Sequence, residues 1–235
     1  MTQPAGTARP TAVCFDGFGT LFRLGDGDPA RAVCDRLRGL GYRGGVAAVA
    51  AGLRAEFSYY RSHHKYVGDA GQLADLQRRC GQIVLDALGD EAAGMSPLEV
   101  GRAIAASFPP RLYPETRGAL ERARRAGLVT GVLSNYSFLL EATLRELEVD
   151  ELFDFKVVSG LEGVAKPDPQ IFALARRRAG VGDGPIAHIG DSHPEDYLGA
   201  ERAGFRAVLL DRSGSEPPAA TATATDLNGA LDLFL

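Results

Sequence analysis

Four short segments of the chain contain side chains whose types and spacing could do chemistry together. Each segment ends or follows an apolar run that predicts a buried β-strand. The segments are Asp16-Gly17-Phe18-Gly19-Thr20, Ser134-Asn135, Ala165-Lys166-Pro167-Asp168 and Gly190-Asp191-Ser192, with Asp196 one turn later. Together they supply carboxylates, a hydroxyl, an amide and an amine.

The acidic residues of these segments predict a bound cation. Carboxylates that converge at strand ends repel each other and lose hydration, which raises their pKa values unless a cation lies between them. Oxygen ligands suit Mg²⁺, which binds one or two carboxylates together with substrate phosphate oxygens. Ser134 and Lys166 can hold the remaining anionic oxygens. In this setting Asp16 can attack phosphorus and form an acyl-phosphate, which divides one difficult step into two.

The elements that must position these residues follow from the apolar patterns. Strands are predicted over residues 11–15, 128–133, 155–158, 186–189 and 207–210, and helices over 114–126, 139–147, 169–179, 195–203 and 226–233, with a loop over 212–225. This alternation predicts an α/β fold, a Rossmann-like parallel sheet covered by helices on both faces. Ligands bind beyond the carboxyl ends of the strands in such sheets, where the four segments lie.

The segment between the first and second of these strands differs in character. Residues 23–108 show helical periodicity and no convincing strand, with helix starts at Asp28-Pro29 and Ser96-Pro97. We therefore predict a core α/β domain over residues 1–22 and 109–235, interrupted by an all-helical domain over residues 23–108.

Composition narrows the class of function. With 45% hydrophobic and 24% charged residues the chain is typical of a globular protein, and its net charge of −4 gives no basic excess for nucleic acid. Three scattered cysteines fit neither a disulfide framework nor a zinc site and favour a reducing, cytoplasmic location. No apolar run suits a membrane span, and the N-terminus lacks the pattern of a secretory signal. We expect a small-molecule substrate and a monomer or homodimer.

The four segments, taken in order, resemble the motifs of the haloacid dehalogenase superfamily of hydrolases. The matching residues are Phe15 to Leu21, Leu133-Ser134-Asn135, Lys166-Pro167-Asp168, and Gly190-Asp191-Ser192 through Asp196. One such motif would be weak evidence, but four in order at predicted strand ends are specific. The resemblance spans residues 12–210, and the insertion over 23–108 is similar to the helical cap of the first cap class.

The resemblance implies a role for each charged residue of the motifs. Asp16 would be the nucleophile and a metal ligand, and Lys166 would neutralise charge on it and on the phosphoryl group. Asp191 would ligate Mg²⁺ directly. Asp196 would lie next to the metal or bond to Lys166, and it could also simply cap the helix that follows. Phe18 would lend its backbone carbonyl to the metal.

The resemblance also implies where the substrate lies. Thr20 and Ser134 would hold phosphoryl oxygens, with Gly17, Phe18 and Asn135 beside them.

The polar, aromatic-rich stretch over residues 59–66 belongs to the implied cap. The inner face of such a cap meets the core, so we expect Arg61 and His64 to contact substrate, although a charged helix face is more often solvated.

Phe18 departs from the phosphatase pattern. Most phosphatases of the superfamily have a second aspartate here, which protonates the leaving alkoxide and later activates water, help typically worth ~10²–10⁴-fold in rate. The superfamily's 2-haloacid dehalogenases have an aromatic residue here, because halide needs no proton. They use no metal, however, and their counterpart of Asp191 is generally uncharged.

We weigh Asp191 above Phe18 and predict a Mg²⁺-dependent phosphatase of a small phosphorylated metabolite that acts through an aspartyl-phosphate on Asp16. The alternatives are a 2-haloacid dehalogenase and a catalytically weakened member with a binding role. Candidate substitutes for the missing acid are His193, Glu195 and the histidines of the cap.

Overall fold

The computed structural model describes residues 8–214 and 222–235. The chain divides into two compact units, which we call the core unit (the described residues of Met1–Arg23 and Arg111–Leu235) and the helical unit (Leu24–Pro110). That these units are separate folding domains stays a prediction. Among the described residues, no helix combines the length and the hydropathy that crossing a bilayer requires.

The described strands are β1 (Ala12–Phe15), β2 (Phe22–Leu24), β3 (Pro110–Leu112), β4 (Val129–Ser134), β5 (Phe155–Val158), β6 (Ile186–Gly190), β7 (Arg206–Leu210) and β8 (Thr223–Ala224). The α-helices are α1 (Pro29–Gly39), α2 (Val46–His63), α3 (Ala70–Leu88), α4 (Pro97–Ala106), α5 (Thr116–Arg125), α6 (Leu140–Glu146), α7 (Ser159–Glu162), α8 (Pro169–Ala179), α9 (Leu198–Arg202) and α10 (Leu227–Asp232). A π-helical turn, His193–Tyr197, precedes α9.

Six strands form a parallel sheet in the order β5-β4-β1-β6-β7-β8. The strand that carries Asp16 therefore lies between the strands that lead to Ser134 and to Asp191. This arrangement confirms the predicted α/β fold. The loop predicted over 212–225 is wrong in its described part at Thr223–Ala224, which pairs with β7, and residues 215–221 lie outside the described residues. A two-residue strand is too short for its periodicity to show in sequence.

Both faces of the parallel sheet are buried, which explains why the strands are continuous apolar runs in the sequence. In β1, Val13 and Phe15 join one core cluster, which includes residues of α5, α6 and α10. Ala12 and Cys14 join the cluster on the other side, with residues of α8 and α9. Alternate residues of one strand thus contribute to two cores, and β1 is fixed from both sides.

The helical unit is built from α1 to α4 around its own buried cluster. Side chains of Asp28, Asp69 and Ser96 accept hydrogen bonds from backbone amides at the starts of α1, α3 and α4, as N-caps do. Helices α3 and α4 approach closely at Gly101, where a Cβ atom would lie 1.9 Å from the carbonyl oxygen of Gln77. The short β2 and β3, which the sequence did not predict, pair with each other.

Glu56 is a carboxyl group in the interior of the helical unit, and its removal should stabilise that unit at neutral pH. It is 6% exposed on α2, and burial raises its pKa although a hydrogen bond from the thiol of Cys80 opposes the shift. The folded state therefore holds this proton more tightly than the unfolded chain, so stability falls as the pH rises above the ordinary carboxyl pKa. We expect Glu56→Leu to raise the free energy of unfolding by about 1 kcal/mol at pH 8.

Thermal unfolding of the full chain at pH 8 and at pH 5 measures this effect, and the gain should shrink at the lower pH. Asp86→Leu is the control, because Asp86 is an exposed carboxylate on α3. A gain from Glu56→Leu that does not depend on pH would mean that the pKa of Glu56 is the same in the folded and the unfolded chain, which would contradict the raised pKa.

Candidate active site

Asp16 is the first residue after the central strand β1. Its amide continues the ladder by donating to the carbonyl of Ile189 at 2.9 Å, which fixes the backbone at the carboxyl end of the sheet. The side chain is buried, and its Oδ1 accepts a hydrogen bond from Lys166 Nζ at 2.7 Å. Burial and the charge of Asp196 raise the pKa of Asp16, and the Lys166 ammonium opposes that shift.

The loop after Asp16 is a tight turn in which backbone amides donate to the same carbonyl oxygen. The amides of Leu21 and Phe22 donate to Gly17 O at 2.8 and 3.2 Å. Gly19 has φ +88°, and a Cβ atom there would lie 2.4 Å from Asp191 Oδ2. Only glycine permits both this backbone conformation and this approach to Asp191.

Lys166 is a buried cation between two carboxylates. Its Nζ donates to Asp16 Oδ1 at 2.7 Å, to Asp196 Oδ1 at 2.5 Å and to the carbonyl of Leu133 at 2.9 Å. Burial alone would lower the pKa of Lys166, but the two carboxylates outweigh it and raise the pKa above its ordinary value. All three ammonium protons have an acceptor, so the position of this charge is fixed.

Asn135 holds the segment that carries Lys166. Its Nδ2 donates to the carbonyl of Lys166 at 2.9 Å, and its Oδ1 accepts from the amide of Lys166 at 2.7 Å. Nδ2 also donates to Glu195 Oε2 at 3.1 Å. The structure therefore shows Asn135 positioning Lys166, and its contact with substrate stays a prediction.

Asp196 accepts hydrogen bonds on both carboxylate oxygens. Oδ1 bonds to Lys166 and, at 2.9 Å, to His188 Nε2, while Oδ2 accepts from the amide of Ser192 at 2.9 Å. Burial alone would raise the pKa of Asp196, but Lys166 and His188 bring it well below its usual range. Of the roles predicted for Asp196, the structure shows the bond to Lys166, and direct metal ligation stays a prediction.

His188 is a site residue that the sequence reasoning missed. It is fully buried within β6, and its ring lies edge-on to Phe172. Because ionised Asp196 is an acceptor, we assign the ring proton to Nε2; Nδ1 then has no hydrogen-bond partner among the described residues. The sequence feature that could have indicated His188 as a site residue is its place as a single polar residue inside an otherwise apolar strand.

Asp16, Asp191 and Asp196 form a carboxylate cluster in which one oxygen of each lies within 4.8 Å of the others. Asp191 is the solvent-exposed member, and its Oδ1 accepts a hydrogen bond from Thr20 Oγ1 at 3.4 Å. Loss of hydration on its protein side and the charges of Asp16 and Asp196 raise the pKa of Asp191 to about 7. The Lys166 ammonium pairs with two of these three carboxylates, Asp16 and Asp196. Hard oxygen donors that repel one another fit a divalent cation such as Mg²⁺.

Phe18, Gly17 and Ser134 line the same end of the sheet. Phe18 is 40% exposed, and its ring packs edge-on against Phe22, with ring centroids 6.2 Å apart. Ser134 ends β4 and is buried, and a Cβ atom at Gly17 would lie 3.0 Å from its Oγ. The roles of Phe18, Gly17, Thr20 and Ser134 toward metal and substrate stay predictions.

Arg61 and His64 belong to the helical unit. The His64 ring stacks on Tyr60 with centroids 4.7 Å apart, and the Arg61 guanidinium lies 5.9 Å from the Phe57 ring. Their contact with substrate stays a prediction. Of the candidate acids, His193 stacks on Tyr197 and Glu195 accepts from Asn135.

Comparisons with known proteins identify the family that the sequence matches. The sequence model of haloacid dehalogenase-like hydrolases matches residues 10–204. Haloacid dehalogenase-like hydrolase domain-containing protein 3 of Mus musculus is 42% identical over 98 residues, which are 42% of this chain and 38% of that protein. Phosphoserine phosphatase of Thermus thermophilus is 36% identical over 127 residues, 52% of this chain and 51% of that protein.

A relative of different activity matches as well. (S)-2-haloacid dehalogenase 4A of Burkholderia cepacia is 31% identical over 106 residues, 45% of this chain and 46% of that protein. The chain thus spans about half or less of the length of these relatives. A crystal structure described as a HAD phosphatase from Thermococcus onnurineus shares the fold at a TM-score of 0.65 and 20% identity, covering 95% of this chain and 97% of that chain.

Proposed function

The chain belongs to the haloacid dehalogenase-like hydrolases, and we propose that within this family it is a Mg²⁺-dependent phosphatase of a small phosphorylated metabolite. The observation that carries the proposal is the cluster of Asp16, Asp191 and Asp196, in which one oxygen of each lies within 4.8 Å of the others while Lys166 pairs only with Asp16 and Asp196. The superfamily's 2-haloacid dehalogenases use no metal and generally have an uncharged residue at this position, so the exposed carboxylate of Asp191 favours a metal-dependent reaction. The phosphatase-named relative supports the same reading.

Residues of the core unit supply the nucleophile and hold it in place. Lys166 holds Asp16 Oδ1, and the other carboxylate oxygen attacks phosphorus. A bond forms from that oxygen to phosphorus as the bond to the leaving oxygen breaks, giving an aspartyl-phosphate. The leaving oxygen takes its proton from water, because Phe18 supplies no general acid. A second water then attacks phosphorus, the bond from phosphorus to the Asp16 oxygen breaks, and phosphate is released with Asp16 regenerated. When bound at Asp16 and Asp191, Mg²⁺ supplies charge stabilisation for the phosphoryl oxygens.

Metal removal tests the proposal most directly. We expect phosphate release from a panel of phosphate monoesters to stop in EDTA and to return with Mg²⁺. Asp191→Asn removes one charge from the cluster and should raise the Mg²⁺ concentration for half-maximal activity by at least about tenfold. Asp168→Asn is the matched control, because Asp168 caps α8 and is not a member of the cluster. Full activity in EDTA would contradict the proposal.

The second candidate is a 2-haloacid dehalogenase, which the exposed ring of Phe18 favours. In that reaction Asp16 attacks carbon and halide leaves without a proton. Chloride release from 2-chloropropionate that EDTA does not inhibit would establish this activity in place of the phosphatase.

Phe18→Asp tests whether the missing acid limits the site. The exposed position accommodates an aspartate, and a general acid–base group should raise kcat for alkyl phosphates on the order of 10²-fold. p-Nitrophenyl phosphate should gain far less in its first step, because its leaving group departs without protonation. The measurement is kcat for both substrates.

Phe18→Ala is the control for the loss of the ring. An equal gain from Phe18→Ala would show that access to the site, rather than acid catalysis, had changed. Substrate binding without turnover in the native chain, together with turnover in Phe18→Asp, would instead identify a weakened member with a binding role.

A further inference from the structure

Arg212 contacts the loop that follows Asp16 from outside the family's matched region. It lies beyond residues 10–204 and follows β7. Its Nε donates to the carbonyl of Gly19 at 3.2 Å and its Nη2 to the carbonyl of Thr20 at 2.7 Å. These two residues are 193 and 192 positions away in sequence, so the contact depends entirely on the tertiary fold.

The remaining faces of the guanidinium are also engaged. Its Nη1 lies 2.7 Å from Glu115 Oε1, and its carbon lies 3.5 Å from the centroid of the Tyr113 ring. The Arg212 side chain is 20% exposed. Because each guanidinium nitrogen has a partner within the core unit, the group is held rigidly and is not left free for a ligand.

The two carbonyls that Arg212 holds lie at the point where the loop meets the carboxylate cluster. Gly19 passes so close to Asp191 that no Cβ atom fits, and Thr20 Oγ1 donates to Asp191 Oδ1. The amides of Leu21 and Phe22 donate to Gly17 O, while the carbonyls of Gly19 and Thr20 accept from Arg212. The loop is thus held both by its own hydrogen bonds and by Arg212.

We propose that Arg212 is a positioning residue, which holds the loop at residues 17–20 so that Asp16 and Asp191 keep the spacing that a shared metal ion requires. The proposal rests on the proposed phosphatase function. The planar fork of arginine can bond two adjacent carbonyls while it stacks on Tyr113 and pairs with Glu115. Lysine offers a single point charge and cannot reproduce this set of contacts.

Arg206 provides a matched control at the opposite end of the same strand. It begins β7, donates to the carbonyls of Ala8 and Leu233, and lies 5.0 Å from the Phe234 ring. Like Arg212 it donates to two backbone carbonyls and packs on an aromatic ring, but at the amino end of the sheet, away from the carboxylate cluster. Loss of either arginine removes comparable packing, but only Arg212 touches the loop.

The test compares Arg212→Met, Arg212→Lys and Arg206→Met in the full chain. We expect both Arg212 variants to lower kcat by about tenfold to a hundredfold and to raise the Mg²⁺ concentration for half-maximal activity, with a smaller change in substrate KM. Hydrogen exchange at the amides of Leu21 and Phe22 should speed up in these variants. Arg206→Met should lower the melting temperature without changing kcat, the Mg²⁺ concentration for half-maximal activity or hydrogen exchange at these amides.

Two results would overturn the inference. In the first, Arg212→Met keeps kcat and Mg²⁺ activation within twofold of the native chain. In the second, Arg206→Met loses as much kcat as Arg212→Met, which would assign the effect to general stability. Absence of Mg²⁺-dependent turnover in the native chain would instead refute the proposed function, and hydrogen exchange would still report whether Arg212 holds the loop.

Discussion

Asp16→Ala should lower kcat for phosphate release by roughly 10⁴-fold or more, because loss of a nucleophile removes the covalent route and not merely part of its acceleration. Asp16 is placed for attack by features that do not depend on its carboxylate. They are the ladder bond from its amide to Ile189 and the position of Lys166, which Asn135 holds through its backbone. We therefore expect the variant to keep the backbone and the neighbouring side chains of the site in place. It has no carboxylate oxygen that can form the aspartyl-phosphate.

The measurement is steady-state kcat, together with acid quenching during turnover and mass spectrometry of the peptide that contains Asp16. The native peptide should carry a phosphoryl group, and the variant peptide should not. Asp154→Asn is the matched control, because Asp154 is another carboxylate of the core unit, paired with Arg124 just before β5. Retention of a few per cent of native kcat in Asp16→Ala, or a phosphoryl group elsewhere, would exclude the aspartyl-phosphate on Asp16.

Lys166→Met should destabilise the core unit by about 3–5 kcal/mol and abolish turnover, because it leaves buried carboxylates without their counter-charge. Lys166 is 2% exposed and bonds to both Asp16 and Asp196. Methionine has a similar length but supplies no proton to these acceptors. Urea denaturation at pH 7 measures the loss. The deficit should shrink as the pH falls, since the uncompensated carboxylates then take up protons.

A second substitution shows that charge, and not shape, causes this loss. Asp196→Asn in the Lys166→Met background removes one of the unpaired charges and should recover part of the stability. Lys156→Met is the control, because Lys156 pairs with Asp150 in a partly exposed position and should cost no more than about 1 kcal/mol. Equal losses from the two lysine variants would show that the buried ion pairs contribute little.

The placement of the chemical groups at one edge of the sheet could be predicted from local patterns. The run before Asp16 is apolar on both faces, and it is indeed buried in β1 between β4 and β6. The segments at Ser134 and Asp191 follow runs of the same kind, and parallel strands bring their carboxyl ends together. The prediction of secondary structure failed at short elements such as β8, because two residues are too few to show the alternating pattern of a strand.

The contacts that turn these groups into a site could not be predicted in the same way. The sequence placed Asn135 beside the substrate, which stays a prediction, and it did not indicate that Asn135 bonds to the backbone of Lys166. His188 and Arg212 were missed, because a buried histidine in a strand and an arginine in a polar loop have no distinctive local pattern. Their partners are set by packing between strands and loops.

The sequence by itself determined the fold class, the chain positions of five of the six strands in the described parallel sheet and the polar groups at their ends, because hydrophobic periodicity and turn residues act over a few neighbouring positions. Only the tertiary structure decided which groups are paired. Lys166 meets Asp16 across 150 positions and Arg212 meets Gly19 across 193. Such pairings depend on how the sheet and its loops close around one another, and that geometry is a property of the folded chain as a whole.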